Sequence, residues 1–341
     1  ISMRFRPYIF FLLPIMMSCS FAQISRVGTS AVNFLLIEPG PRAVAMGSAH
    51  TAMGGDTYLA FYNPAGLSEI ESVMIDAQRT NWIADITYDY LSIAFPVHRS
   101  VVAGFQFVSL SMADMEVRTE YNQNGTGEMF SAGDMLIGSS LSIAVSNRFA
   151  VGGTIKYVRE YIWNMSADAL AFDIGTRYSS SFFNTVVGVS ISNFGESLEM
   201  KGRDINIQHD PSDVFYGNND EIPAAYVLDE FAMPLTFRIG IASDLVPQRP
   251  GFIHIAIDAV HPYSTSEFVN IGMEFKPFEI MAFRAGYKSL FYPNSEEGFT
   301  FGAGLKIPVY NGAVLKVDTA FTDYGRFNSV KQFSLGLNFL R

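Results

Sequence analysis

The chain has 341 residues, 23 of them basic and 33 acidic, and its net charge of -10 argues against nucleic acid as a partner, since nothing gathers the basic residues into a patch. Hydrophobic residues make up 49% and charged residues only 16%, below the roughly 25% of ordinary soluble proteins. Yet nothing beyond Gln23 supplies the roughly 18 consecutive apolar residues of a spanning helix. That leaves a very large buried core or a β-barrel facing lipid, because only helices and closed barrels satisfy every backbone polar group in a bilayer.

Read from the start, Met3, Arg4 and Arg6 precede a short apolar run from Ile9 to Met17, broken by Pro14. Ser20-Phe21-Ala22 then supplies small residues at the two positions a signal peptidase reads, so residues 1–22 are expected to be a signal peptide for export. Cys19 after Met17-Ser18 offers lipoprotein processing as a competing reading. Cys19 is the single cysteine of the chain, so cleavage after Ala22 removes any disulfide framework, thiolate metal site or cysteine nucleophile.

Residues 23–72 form the next unit. Their centre, Glu38 to Leu67, is too rich in Gly, Ala and Pro for a strand. Ala43, Val44, Ala45, Met46, Ala49 and Ala52 make a small-residue face suited to close packing on a barrel wall. Gly54-Gly55 is expected to break the helix and Asp56 to cap a short turn through Tyr58–Phe61. In Asn63-Pro64-Ala65-Gly66, Pro64 pushes Asn63 out of the helical region. The expectation is a partly helical plug around which residues 73–341 close as a sheet.

From residue 73 onward the period is 2. In the last strand Phe333, Leu335, Leu337 and Phe339 alternate with Ser334, Gly336 and Asn338, and the same pattern recurs in 234–245, 251–260, 267–276, 279–289 and 298–307. Further strands are read near 73–79, 87–96, 100–113, 132–146, 148–161, 167–179, 184–194 and 312–322. The second face is mostly Gly, Ser, Thr and Asn with an occasional ion, as in a narrow, filled lumen. The fold class is therefore all-β: a transmembrane antiparallel barrel of about fourteen strands, an even number, with both termini on the periplasmic side. Loop lengths agree. Thr80–Ile86, Met115–Ser131, Gly195–Met233 and Leu290–Glu297 are long, whereas the alternate connections, such as Pro96–Arg99, Ser180–Phe183 and Lys276–Phe278, are short. Trp82, Tyr88, Tyr90, Tyr157, Tyr161, Trp163, Tyr178, Tyr287, Phe291, Tyr292 and Tyr324 gather near strand ends, as residues of a membrane interface do.

The alternation also places charges. Lys156 and Asp173, Arg238 and Asp258, and Glu274 and Arg284 fall on small-residue faces. A Lys or Arg turned to mid-bilayer costs roughly 2–4 kcal/mol, so these six are expected inside, as cross-strand ion pairs or bound to polar groups of the plug.

Several stretches carry a family likeness: Pro41-Arg42-Ala43-Val44-Ala45-Met46-Gly47, Asp56 and Asn63-Pro64-Ala65-Gly66-Leu67 in the plug, then Asn124-Gly125-Thr126-Gly127-Glu128, Ala171-Phe172-Asp173-Ile174-Gly175-Thr176, Asn193-Phe194-Gly195, Asp258-Ala259-Val260-His261-Pro262 and Arg284-Ala285-Gly286-Tyr287-Lys288. With these residues the chain resembles the PorV family of outer-membrane barrels, relatives of the FadL-type transporters of hydrophobic compounds. The resemblance implies a bacterial outer-membrane location and one of two roles. One is a component of type IX-like protein secretion or surface attachment that engages exported cargo. The other is a conduit for a hydrophobic small molecule. One departure is that Phe339 is followed by Leu340 and Arg341, so the terminal aromatic read by barrel-assembly machinery is offset.

No catalytic motif appears: no G-x-S-x-G, no H-E-x-x-H, no phosphate loop. The five His are scattered, so neither a metal site nor a cofactor is expected, and His254 reads as a lumen hydrogen bond. Asn124-Gly125-Thr126 is better explained as hairpin chemistry than as a glycosylation acceptor. The acidic loop Gly195–Met233 reads as a solvated lid, and its Asp spacing lacks a calcium-loop pattern.

Overall fold

The computed structural model describes residues 28–210, 221–245, 252–293, 295–309 and 312–339. The expected signal peptide, with Cys19, lies outside them, as do Asp213 and Asp220 of the acidic loop and Leu340-Arg341.

Fourteen antiparallel strands close into one barrel. They are β1 (Val73–Asn81), β2 (Thr87–His98), β3 (Val101–Ser111), β4 (Ala132–Ala144), β5 (Phe149–Ile162), β6 (Met165–Ser179), β7 (Thr185–Gly195), β8 (Thr236–Asp244), β9 (Phe252–Pro262), β10 (Phe268–Phe278), β11 (Met281–Leu290), β12 (Phe299–Pro308), β13 (Ala313–Asp323) and β14 (Ser329–Phe339). Each pairs with the next, and β1 closes on β14 from Val73 opposite Phe339 to Thr80 opposite Gln332. Closure leaves no strand edge, which hydrocarbon demands because each unpaired backbone group there costs several kcal/mol.

The burial pattern inverts that of a soluble protein. In β14, Val330, Gln332 and Ser334 are buried, while Phe333, Leu335, Leu337 and Phe339 are exposed. Exposed Phe, Leu and Ile recur on the outer face of β3 to β12, among them Phe105, Ile137, Ile155, Leu170, Ile239 and Phe301, the surface lipid covers. Turns between even and odd strands are short, while the two long connections, 112–131 and 196–235, each join an odd strand to an even one, so the loop end faces outward and the turn end faces the periplasm.

The N-terminal segment fills the barrel. It carries two brief helices, α1 (Pro41–Ala45) and α2 (Leu59–Tyr62), with 3-10 turns at Asn33–Leu36 and Pro64–Glu69. Its course corrects three expectations. First, the helix ends at Ala45, well before Gly54, because Gly47 and Ser48 adopt positive φ. Second, Asp56 caps nothing: α2 starts after Tyr58 with no side-chain cap, and the Asp56 carboxylate is taken by charged partners. Third, the described part of the segment starts at the loop end, not the periplasmic end. Ser30 bridges to Ala232 of the long β7–β8 connection, and the Val32 N–H donates to Glu160 near the loop end of β5. The chain therefore passes through the barrel from loop end to turn end before β1 begins.

Tyr88 and Tyr90 are also corrected. They share register parity with lumen-facing Ser92 and Ala94, so they point inward and are buried, not at an interface. They join Val32, Phe34, Leu35, Tyr58, Leu198 and Met233 in an apolar cluster that binds the N-terminal segment to the β7–β8 connection. Trp163, Tyr178 and Phe291 are exposed.

Candidate functional site in the lumen

The wall's small residues set how closely the segment approaches. A Cβ added at Gly272 would lie 2.2 Å from the Met46 carbonyl oxygen, one at Gly286 2.2 Å from the Gly47 nitrogen, and one at Gly152 2.4 Å from the Ala65 nitrogen. Plug backbone thus rests directly on wall backbone. Of the plug residues the sequence singles out, Pro41, Ala43, Met46, Gly47, Asp56, Asn63, Pro64, Ala65, Gly66 and Leu67 are all buried.

Buried backbone groups need partners, and the wall supplies them from many sides. The Gly47 N–H donates to Thr300 Oγ1 (2.9 Å), and the Thr300 hydroxyl donates to the Ala45 carbonyl (3.1 Å). Ser142 and Ser190 hydroxyls donate to the Ala65 and Tyr62 carbonyls. The Gly40 N–H donates to Gln78 Oε1 at 2.7 Å. Asn63, extended as Pro64 requires, accepts from the Ala65 N–H and donates across to the Thr51 and Thr176 carbonyls.

The six charges expected in the lumen fall into three groups. In the first, Lys156 Nζ lies 2.5 Å from Asp173 Oδ2 and donates to Asn193 Oδ1, while the Asn193 N–H returns to Asp173. Asn193 has positive φ at the register shift between β6 and β7, and this turns its side chain to the pair.

The second group is centred on Glu274, which is fully buried. Arg42 reaches its two oxygens with Nη2 and Nε at 3.0 and 3.2 Å, Arg284 Nε lies at 2.7 Å and Lys276 Nζ at 2.7 Å. Arg284 continues to Asp318 at 2.6 Å, and Arg42 continues to Asp56 at 3.0 Å, where His50 Nε2 also arrives at 2.9 Å. Burial pushes the Asp56 carboxyl up, but His50 and Arg42 outweigh it and hold it below the usual carboxylate range.

In the third group Arg238 and Asp258 follow the second of the two expected arrangements: each takes a plug partner and not the other. Arg238 and Asp258 share the lumen face, but Arg238 sits opposite Val260 while Asp258 sits opposite Gly240. Asp258 accepts the backbone N–H groups of His50 and Thr51, both at 2.8 Å. Arg238 turns to Glu38 at 3.4 Å, and Lys288 joins the same carboxylate at 3.0 Å. Burial pushes Glu38 up, and Lys288 with Arg238 brings it back below its ordinary value. Glu38, His50 and Lys288 had no assigned role in the sequence reading. Glu38 opens the plug stretch and Lys288 ends the Arg284–Lys288 motif, but nothing in their spacing pairs them. His254, expected in a lumen hydrogen bond, contacts Asp244 and Met53.

Two cavities flank the plug. One of about 360 Å³ opens at the loop end among Leu36, Arg238, Val260, Phe268, Lys288 and Tyr292. A second of about 200 Å³ lies at the turn end, beside Arg42 and Glu274. Among the described residues no group of three or more His, Cys, Asp or Glu is placed to hold a metal.

Comparison with known proteins agrees with this architecture. The family described as "Type IX secretion system protein PorV" matches residues 20–250. Solved barrels align over most of both chains. The CymD monoaromatic hydrocarbon channel is 14% identical, with TM-score 0.57 over 89% of this chain and 97% of its own. A Pseudomonas aeruginosa FadL homologue is 12% identical, with TM-score 0.53 over 88% and 98%. The Pseudomonas putida toluene transporter TodX is 14% identical, with TM-score 0.52 over 88% and 97%. At such identities the likeness is one of fold. No curated protein matches the chain.

Proposed function

The chain belongs to the PorV family of outer-membrane barrels, and from that premise we propose that it is a non-enzymatic component of protein secretion or surface attachment, of the type IX kind, which engages exported protein cargo or secretion-machinery subunits at its loop end. One observation carries this reading: a hydrogen-bonded and ion-paired segment occupies the lumen and leaves only small cavities, so the surface free for a protein partner is the rim. Long connections build that rim. Residues 112–131 fold back as a hairpin pairing Met115 with Phe130. In the β7–β8 connection Asn206–His209 pairs with Ile222–Ala225, and Tyr226 and Val227 stand 61% and 94% exposed. Exposed aromatic and aliphatic side chains beside these paired strands suit a protein contact.

The test is capture from solubilised outer membranes with the tagged barrel as bait, comparing wild type with a variant lacking residues 206–225. Co-purification of exported proteins that is lost in the variant supports the reading. Identical capture by both refutes it.

A second reading, a conduit for a hydrophobic small molecule, is favoured by the loop-end cavity. Leu36, Val260, Phe268 and Tyr292 give it apolar walls beside the Arg238–Glu38–Lys288 group. Saturable uptake of a hydrophobic compound into proteoliposomes would select this reading.

A further inference from the structure

We infer that the turn-end cavity is a binding site for an oxyanion of the phosphate class, entered from the periplasmic side. The cavity, about 200 Å³, lies between the plug at Arg42 and Gly54–Asp56 and the turn-end halves of β10 to β13. Five cations line it: Arg42, Lys276, Arg284, Lys306 and Lys316.

Five carboxylates line it too, Asp56, Asp76, Glu274, Glu279 and Asp318, and most are held by other cations. Glu274 serves Arg42, Lys276 and Arg284 together. Asp318 holds Arg284, Asp56 holds Arg42 and His50, and Asp76 accepts from the Thr57 hydroxyl. Glu279, at the rim, also has a partner.

Two lysines remain. Lys306 and Lys316 are directly opposite in the β12–β13 register, and both take the lumen parity of Gly304 and Asp318 while Leu305, Ile307, Leu315 and Val317 take the other. Among the described residues no carboxylate lies within ion-pair distance of either, and Lys316 Nζ lies 3.9 Å from Met74 Sδ. Like charges placed directly across a strand pair destabilise a sheet. Here the pair is not separated by register: Lys316 is half-buried, and Lys306 is exposed at the turn end. The pair faces a cavity whose next cations are Lys276 and Arg42. Such an arrangement is relieved by an anion that accepts from several ammonium groups at once, and phosphate oxygens do this with charge-assisted hydrogen bonds. The volume admits a phosphate group with a few waters.

The experiment is calorimetric titration of the full-length barrel in nonionic detergent with sodium phosphate, against sodium chloride at matched ionic strength. Wild type should bind phosphate. The Lys306→Met/Lys316→Met variant should bind at least tenfold more weakly. Lys306→Arg, which keeps the charge, should retain binding. Heat-modifiable migration verifies that each variant is folded. Short-chain phosphatidic acid distinguishes the sources: tighter binding than inorganic phosphate assigns a lipid headgroup, and equal binding assigns a free oxyanion. Absence of phosphate binding by the wild type, or equal binding by wild type and the double methionine variant, overturns the inference.

Discussion

Glu274→Gln isolates the charge at the centre of the lumen network while keeping its shape. In the wild type this buried carboxylate faces Arg42, Lys276 and Arg284 at 2.7 to 3.2 Å. Removing one partner of a buried ion pair costs about 3–5 kcal/mol, chiefly because the remaining charge stays desolvated. Three local facts place this case near the lower bound. Arg284 keeps Asp318 at 2.6 Å, Arg42 keeps Asp56 at 3.0 Å, and Lys276 is 27% exposed and can turn to water in the turn-end cavity. The expected loss is therefore about 3 kcal/mol, read as the shift in urea unfolding of the barrel refolded into lipid vesicles. Arg79→Ala is the control: its pair with Asp89 is largely exposed, and it should unfold like the wild type. A Glu274→Gln protein as stable as the control would mean that the three cations do not depend on this carboxylate, and the network as drawn would be wrong.

Gly272→Leu should overpack the contact with the Met46 carbonyl and cost about 1–3 kcal/mol, whereas bulky substitution with no loss would place the segment away from the wall. In planar bilayers the wild type should show no large, stable open-pore conductance, while Arg238→Ala or Glu274→Ala should give frequent openings; a persistent wild-type pore contradicts the filled lumen. Asp56→Asn should be less stable than wild type at neutral pH. Because the folded Asp56 is held below its unfolded value, its contribution is present above that value and is lost as pH falls through the folded pKa, so wild type and variant should converge in acid. Thermal melts at neutral and acid pH measure the gap, and a constant gap refutes the assignment.

The wall was legible because its signal is local and repeated. Phe333, Leu335 and Leu337 against Ser334 and Gly336 specify both strand and face, and fourteen repeats of one period are hard to mistake. Lys156 and Asp173 were placed inside by the same parity. A parity argument gives the face and leaves the partner open. Parity puts Arg238 and Asp258 on one face but not within reach, since the pairing offsets them by two positions. It also says nothing of the plug groups that claim them, Glu38 for Arg238 and the His50 and Thr51 amides for Asp258, each about two hundred residues away. Tyr88 and Tyr90 show the same limit. Residue type suggested an interface, while their parity with Ser92 already set them inside.

The unequal attachment of the plug bears on how any molecule could pass it. Residues 40–67 bond to β1, β4, β6, β7, β9, β10 and β12 through buried donors and acceptors. Releasing them would leave those groups unpaired in a lumen too narrow to hydrate them all, at about 1–3 kcal/mol for each. Residues 30–37 are held differently. Their polar ties to the rest of the chain are few: the Ser30–Ala232 bridge, the Val32 N–H on Glu160 and the Ile37 carbonyl under Tyr88. Apolar contact with Leu198, Met233, Tyr88 and Tyr90 supplies the rest, and apolar groups can re-pack against another apolar body without orphaning a donor. The inner plug therefore behaves as part of the barrel, while residues 30–37, joined to the β7–β8 connection, are the portion whose displacement would cost least.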